Sequence, residues 1–143
     1  MPDERIPLTL IYVDDEPLVL RVTMRRIEKR YGDRVERLEF QDPSAALERL
    51  HLVMSGINSG SASAEYARIA ILSDGEMPSM TGVAFLSAAC EILSAPILVG
   101  ACLYSGTPDL IKRAREEKFD TALKPDIDSV FNFIDRCLAL MET

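Results

Sequence analysis

Three carboxylates, a hydroxyl and an ammonium attract attention in this 143-residue chain because of where they fall. Asp14 and Asp15 follow the apolar run LTLIYV, and Asp74 follows Ile71 and Leu72 in ILSDGEMPSMTG. Ser105 follows APILVGACLY, and Lys124 follows FDTAL. A carboxylate at the end of a buried run is costly unless it is paired, hydrogen-bonded or bound to a metal. Two unit negative charges about 4 Å apart repel by roughly 4 kcal/mol at an effective dielectric of about 20, so such groups brought together need a positive partner. Lys124 can offset part of that charge. Mg2+, a hard cation that prefers oxygen ligands and keeps some of its waters, fits the set better.

Whether these residues meet depends on the elements that carry them. LTLIYV (8–13) is continuous and apolar, as expected of a strand buried on both faces. Pro17 suits a first helical turn, Leu20, Met24, Ile27 and Tyr31 recur at helical spacing, and Gly32 stands at the C-terminal cap. RVERLEF (34–40) alternates imperfectly with charges and reads as a strand near a sheet edge, after which Asp42 and Pro43 open a second helix. SGINSGSASAEYAR (55–68) is rich in Gly, Ser and Ala and reads as a loop with little local preference for order.

RIAILS (68–73) is the third predicted strand, and TGVAFLSAACEIL a helix with Val83, Leu86, Ala89 and Cys90 on one face. APILVGACLY (95–104) is the fourth strand, Leu110, Ile111 and Ala114 mark a short helix, and FDTALKP gives a short fifth strand. DIDSVFNFIDRCLALM closes as an amphipathic helix with Ile127, Val130, Ile134, Cys137 and Met141 as its buried stripe. Strand and helix alternate five times, which predicts a three-layer α/β/α sandwich around a parallel sheet. Ligands of such sheets bind beyond the carboxyl ends of the strands, where strand order reverses, and that rule gives the five polar residues one address.

Bulk properties narrow the function. The length suits one domain, and 48% hydrophobic residues are enough for an ordinary core. A formal charge of −7 argues against a surface that tracks nucleic-acid phosphates, so no direct nucleic-acid binding is expected. The longest apolar stretch, Ala95 to Tyr104, is far short of the roughly 20 residues that span a bilayer, and MPDERIP lacks a signal-peptide core. No membrane insertion and a cytoplasmic location are expected. Cys90, Cys102 and Cys137 are widely spaced in apolar segments and read as small hydrophobes rather than a disulfide or zinc set. His51, the only histidine, lies in a helical context that makes a surface or packing role the simpler reading.

The acidic pair in IYVDDEP, the D-x-x-M-P-x-M-x-G turn in SDGEMPSMTG, the hydroxyl in YSG and the LKP near the end together resemble the receiver domain of two-component response regulators, from Leu8 to about Met141. The resemblance implies a flavodoxin-like fold with strand order 2-1-3-4-5. It implies that Asp74 is the phosphoacceptor and that Asp15 ligates Mg2+ directly, with Asp14 helping directly or through water and Glu76 giving a backbone carbonyl. It further implies that Ser105 bonds a phosphoryl oxygen and that Lys124 pairs with another, beside a cis bond to Pro125. The donor would be a phosphohistidine on a sensor histidine kinase or a histidine phosphotransfer protein, and the readout an altered surface for a downstream protein. The expected unit is a single receiver domain over 1–143, with an insertion at about 55–68 and no output domain.

Three features depart from the family pattern. The 55–68 connection is long. Counting back from Lys124 puts the hydroxyl position nearer Cys102 than Ser105, so helix four reads as about one turn short. Thr121 stands where the family usually has Tyr or Phe, so Tyr104 or another neighbour takes over that role or the readout differs. Two rival readings are a receiver-like interaction module that is never phosphorylated and a Mg2+-dependent phosphatase of the haloacid-dehalogenase type. The second would need D-x-D-x-T/V after strand one, where this chain has DDEPL.

Overall fold

The computed structural model describes residues 6–64 and 67–142. Five strands, β1 (Leu8–Val13), β2 (Val35–Phe40), β3 (Ile69–Asp74), β4 (Leu98–Ser105) and β5 (Asp120–Leu123), pair in parallel in the order β2-β1-β3-β4-β5. Five helices connect and follow them: α1 (Pro17–Tyr31), α2 (Pro43–Asn58), α3 (Gly82–Ile92), α4 (Pro108–Glu116) and α5 (Ile127–Met141). This is the three-layer arrangement expected from the alternation, in the flavodoxin-like strand order that the resemblance implied, with the charged β2 at a sheet edge as read.

Alternation along the strands divides the core in two. Leu8, Leu10, Tyr12, Ala70, Leu72, Cys102, Tyr104 and Ala122 face α1 and α5, where they meet Leu20, Ile27, Phe133 and Ile134. Ile11, Val13, Ile69, Ile71, Ala101 and Leu103 face the other way, onto Leu50, Phe85, Leu86 and Ala89. A period of two carried to the end of β3 and one step past the ends of β1 and β5 places Asp74, Asp14 and Lys124 on the α1/α5 side of the sheet's carboxyl rim, each two residues beyond a member of that first core.

Local signals set the helix ends. Asp42 caps α2 by accepting from Ser44 N at 3.0 Å, and Thr81 caps α3 by accepting from Ala84 N at 3.2 Å. Gly32 ends α1 at φ 56°, a conformation that costs glycine little. The stripe expected on α5 is wider than read, because Phe131 and Phe133 are buried beside Val130, Ile134 and Cys137. Cys90 is half-buried rather than buried on α3, whose inner face is completed by Phe85.

The loop expected from residue 55 begins later. α2 continues through Asn58 because Val53, Met54 and Ile57 pack against the second core, a tertiary contact that outweighs the weak local preference of Ser55 and Gly56. Beyond it, the Ser59 and Ser61 hydroxyls both donate to Gly56 O. Glu65 and Tyr66, at the end of this segment, and residues 1–5 of MPDERIP lie outside the described residues. Among the described residues no helix is long and apolar enough to cross a membrane.

The turn after β3 is held by Gly82 N donating to Gly75 O at 2.9 Å. A Cβ on Gly82 would run into the Asp74 carbonyl and the Leu103 side chain, and the backbone there cannot yield. Gly82→Ala is expected to destabilise the protein by about 1–3 kcal/mol, read as a lower urea midpoint at unchanged slope.

Candidate functional site

Asp14 and Asp74 are brought level by the sheet, since β1 and β3 pair Val13 with Ser73. The final register of β3 and β4 pairs Asp74 with Tyr104, and that of β4 and β5 pairs Ser105 with Leu123, so Lys124 arrives one residue beyond. The Lys124 backbone is tied down by its N–H, which donates to Ser105 O at 3.0 Å, and its bond to Pro125 is cis, as the resemblance implied. From there the ammonium reaches both acids: Nζ donates to Asp14 Oδ2 at 2.9 Å and to Asp74 Oδ1 at 2.8 Å. The Tyr104 ring centroid lies 5.5 Å from the same nitrogen.

Asp14 is fully buried, and both of its oxygens accept hydrogen bonds. Oδ1 accepts from Glu16 N at 3.0 Å, and Oδ2 accepts from Tyr12 Oη at 2.7 Å in addition to Lys124. Asp15 is half-buried at the rim, and Asp74, with its side chain 14% exposed, also accepts from Gly75 N at 2.9 Å. Asp14, Asp15 and Asp74 each offer an oxygen within 4.8 Å of the others. Three oxygen donors of net negative charge on a partly open rim suit a hard divalent cation, so these residues fit Mg2+.

Glu76 is exposed, two residues past Asp74, in a turn closed by a bridge to Thr81. Ser105, and not Cys102, lies at the carboxyl rim. Cys102 is fully buried in the α1/α5 core, whereas Ser105 ends β4, where its Oγ accepts from Thr107 N at 3.1 Å. A Cβ on Gly75 would clash with Ser105 Oγ at 2.7 Å, so the residue after Asp74 packs against that hydroxyl with no room for a larger side chain. Thr121 is half-buried and its hydroxyl accepts from Arg115 Nε at 3.2 Å. Tyr104 faces the opposite side of the sheet, against Tyr12, and so does not fill the space an aromatic at 121 would occupy.

Sequence reasoning missed Tyr12 and Gly75. The signal for the first was present: counting back by two from Asp14 along a buried strand reaches a residue with a hydroxyl. The three cysteines are free thiols, Cys102 and Cys137 buried as read, and His51 is exposed on α2.

Electrostatics follow from burial and from the crowding of acids. Burial raises the Asp74 carboxyl to about 6; the Asp14 charge and the Asp15 carboxyl push the same way, against the hydrogen bond and charge of Lys124. Burial disfavours the Lys124 ammonium, but its bonds to Asp74 and Asp14 and their charges outweigh that cost and hold its pKa above the ordinary value.

No known family's sequence model matches the chain, and no curated protein matches it in sequence. Solved structures do match its fold. A response regulator receiver protein from Dyadobacter fermentans aligns with a TM-score of 0.67 at 21% identity over 92% of this chain and 98% of its own. A two-component response regulator from Cytophaga hutchinsonii gives 0.68 at 17% identity over 94% and 99%. The receiver domain of a histidine kinase from Arabidopsis thaliana, complexed with Mg2+ and BeF3−, gives 0.67 at 14% identity over 94% and 89%. The chain has the receiver-domain fold.

The raised Asp74 carboxyl makes a prediction with a definite sign. The native state binds that proton more tightly than an unfolded aspartate near 3.8, so stability from this group is fully present below 3.8 and is lost as pH rises through about 6. Without divalent cation at pH 7, Asp74→Asn should therefore stabilise the protein by on the order of 2 kcal/mol, with the gain shrinking toward zero near pH 4. Urea denaturation at the two pH values measures it, and a less stable Asn variant at pH 7 contradicts it.

Proposed function

We propose that this protein is a phosphoacceptor switch of a two-component system, taking a phosphoryl group onto Asp74 in a Mg2+-dependent reaction. The observation that carries the reading is the single ammonium, Lys124, bonded at once to Asp14 and Asp74 at the sheet's carboxyl rim. Phosphoryl transfer passes through a loose transition state that calls for positioning and charge neutralisation rather than elaborate covalent machinery.

The residues divide the work. Both bonds to Asp74 fall on Oδ1, from Lys124 and Gly75 N, which makes Oδ2 the attacking oxygen. Asp15 and Asp74, with the Glu76 carbonyl, hold the cation, and Asp14, whose oxygens already accept three hydrogen bonds, acts on it through water or through Lys124. When bound, Mg2+ neutralises the acidic cluster and the oxygens of the incoming phosphoryl group. Lys124 follows the charge as it moves from the carboxylate to those oxygens, and Ser105, next to Gly75, donates to another. The O–P bond to Asp74 forms as the P–N bond of the donor phosphohistidine breaks, and the imidazole departs carrying the electron pair.

The donor in this reading is a sensor histidine kinase or a histidine phosphotransfer protein. The product, an aspartyl phosphate, carries roughly −1.5 to −2 charge in place of the carboxylate's single charge and offers three acceptor oxygens. That change draws Ser105 and Lys124 toward the phosphate and biases the surface for a downstream protein. The protein is then a switch and not a turnover enzyme, and its place is the cytoplasm, with its kinase and target.

Incubation with acetyl phosphate and Mg2+, followed by intact mass measurement under acid quench, tests this. A gain of one phosphate in the wild type, absent with chelator and absent in Asp74→Asn, is the expected result. No gain, or a gain that survives Asp74→Asn, overturns the assignment.

A further inference from the structure

Apart from Thr9, Tyr12 is the only residue of LTLIYV with a polar side-chain atom. It is fully buried in the layer between the sheet and α1 and α5, with its ring centroid 6.4 Å from that of Tyr104. An aliphatic residue would fill such a place with no hydroxyl to satisfy, whereas a buried tyrosine O–H needs an acceptor. Its acceptor here is Asp14 Oδ2, the oxygen that also receives Lys124.

We propose that Tyr12 is a positioning residue of the phosphoryl site: by occupying part of Asp14 Oδ2, it keeps the Lys124 ammonium divided between Asp14 and Asp74. The division is nearly even, at 2.9 and 2.8 Å. The two acids are not equal in environment, since the Asp14 side chain is 0% exposed and that of Asp74 is 14% exposed. An ammonium is drawn more strongly to the carboxylate in the less polarisable surroundings, so Asp14 alone would win the lysine. Tyr12 weakens that pull by donating to the contested oxygen, and Glu16 N fixes the carboxylate plane by holding Oδ1. Burial and the neighbouring Asp14 charge push the Tyr12 hydroxyl far above the ordinary phenol range, so it stays a donor at neutral pH. The inference rests on the proposed phosphoacceptor role only for its effect on rate; the placement of Lys124 is tested separately.

Tyr12→Phe keeps the ring and removes only the hydroxyl. Crystal structures of wild type and variant, grown alike without divalent cation, give the first readout. In the variant Lys124 Nζ is expected to stay on Asp14 and to leave Asp74, beyond about 3.5 Å. Phosphorylation by acetyl phosphate at saturating Mg2+ should slow about tenfold, while the Mg2+ midpoint moves less than about twofold because Asp15 and Asp74 are untouched. The rate loss should vanish in an Asp14→Asn background, where no carboxylate competes for the ammonium.

Several results overturn the proposal: Lys124 within hydrogen-bond distance of both acids in Tyr12→Phe, an unchanged rate, or an equal rate loss in both Asp14 backgrounds. Asp14→Asn alone guards against a misfolded Tyr12 variant, since Lys124 must then remain on Asp74, and its departure also overturns the idea. If the wild type takes up no phosphate yet Lys124 shifts in Tyr12→Phe as expected, the phosphoacceptor reading falls and the positioning role of Tyr12 stands.

Discussion

One ammonium shared by a buried and a half-buried carboxylate organises the carboxyl rim of this molecule's sheet. Lys124 lies 110 residues from Asp14 and 50 from Asp74, and its Nζ is within 2.9 Å of an oxygen of each. Without it, two acids would face one another in a poorly polarisable setting at a cost of several kcal/mol. With it, the cluster is only partly neutralised, and the residual charge is what a divalent cation can use.

The fold supplies this geometry through register more than through loops. Parallel pairing of β1 with β3 sets Asp14 level with Asp74, and the step from β4 to β5 delivers Lys124 just beyond. The two-residue period then sends all three side chains to the α1/α5 side. Ser105 belongs to the opposite period and arrives instead from the end of β4, close against Gly75, where no larger residue has room. Site and core share the same strands, so a change in packing beneath Asp14 is felt at the acidic rim. Tyr12 makes that link explicit, being a core residue by burial and a site residue by its hydrogen bond.

Much of this was legible in the sequence, and for a physical reason. Long apolar runs ended by Asp or Lys, alternating with helical periods, admit few arrangements once right-handed crossovers and the carboxyl-end rule are imposed. That placed Asp14, Asp15, Asp74 and Lys124 at one rim, while the order of the strands came from the family resemblance and the edge position of β2 from its charges. What propensity misjudged were positions decided by contacts from afar. Ser55 and Gly56 read as loop, yet Ile57 carries α2 onward by packing on the second core. Phe131 and Phe133 widen the buried face of α5 because both pack into the core between the sheet and α1.

The sequence by itself determined which groups could do chemistry and on which strand ends they stand, since residue type and hydrophobic period are local properties of the chain. Only the tertiary structure decided which oxygen meets which nitrogen. Ser105 rather than Cys102 sits beside the acidic turn, because strand register and not residue counting sets depth in the sheet. Tyr104 lies on the far side of the sheet from Thr121, because neighbours in adjacent strands share a face only when their registers match. The shared hold of Tyr12 and Lys124 on Asp14 belongs to neither local pattern, and distances of a few ångströms between residues far apart in sequence exist only once the sheet has closed.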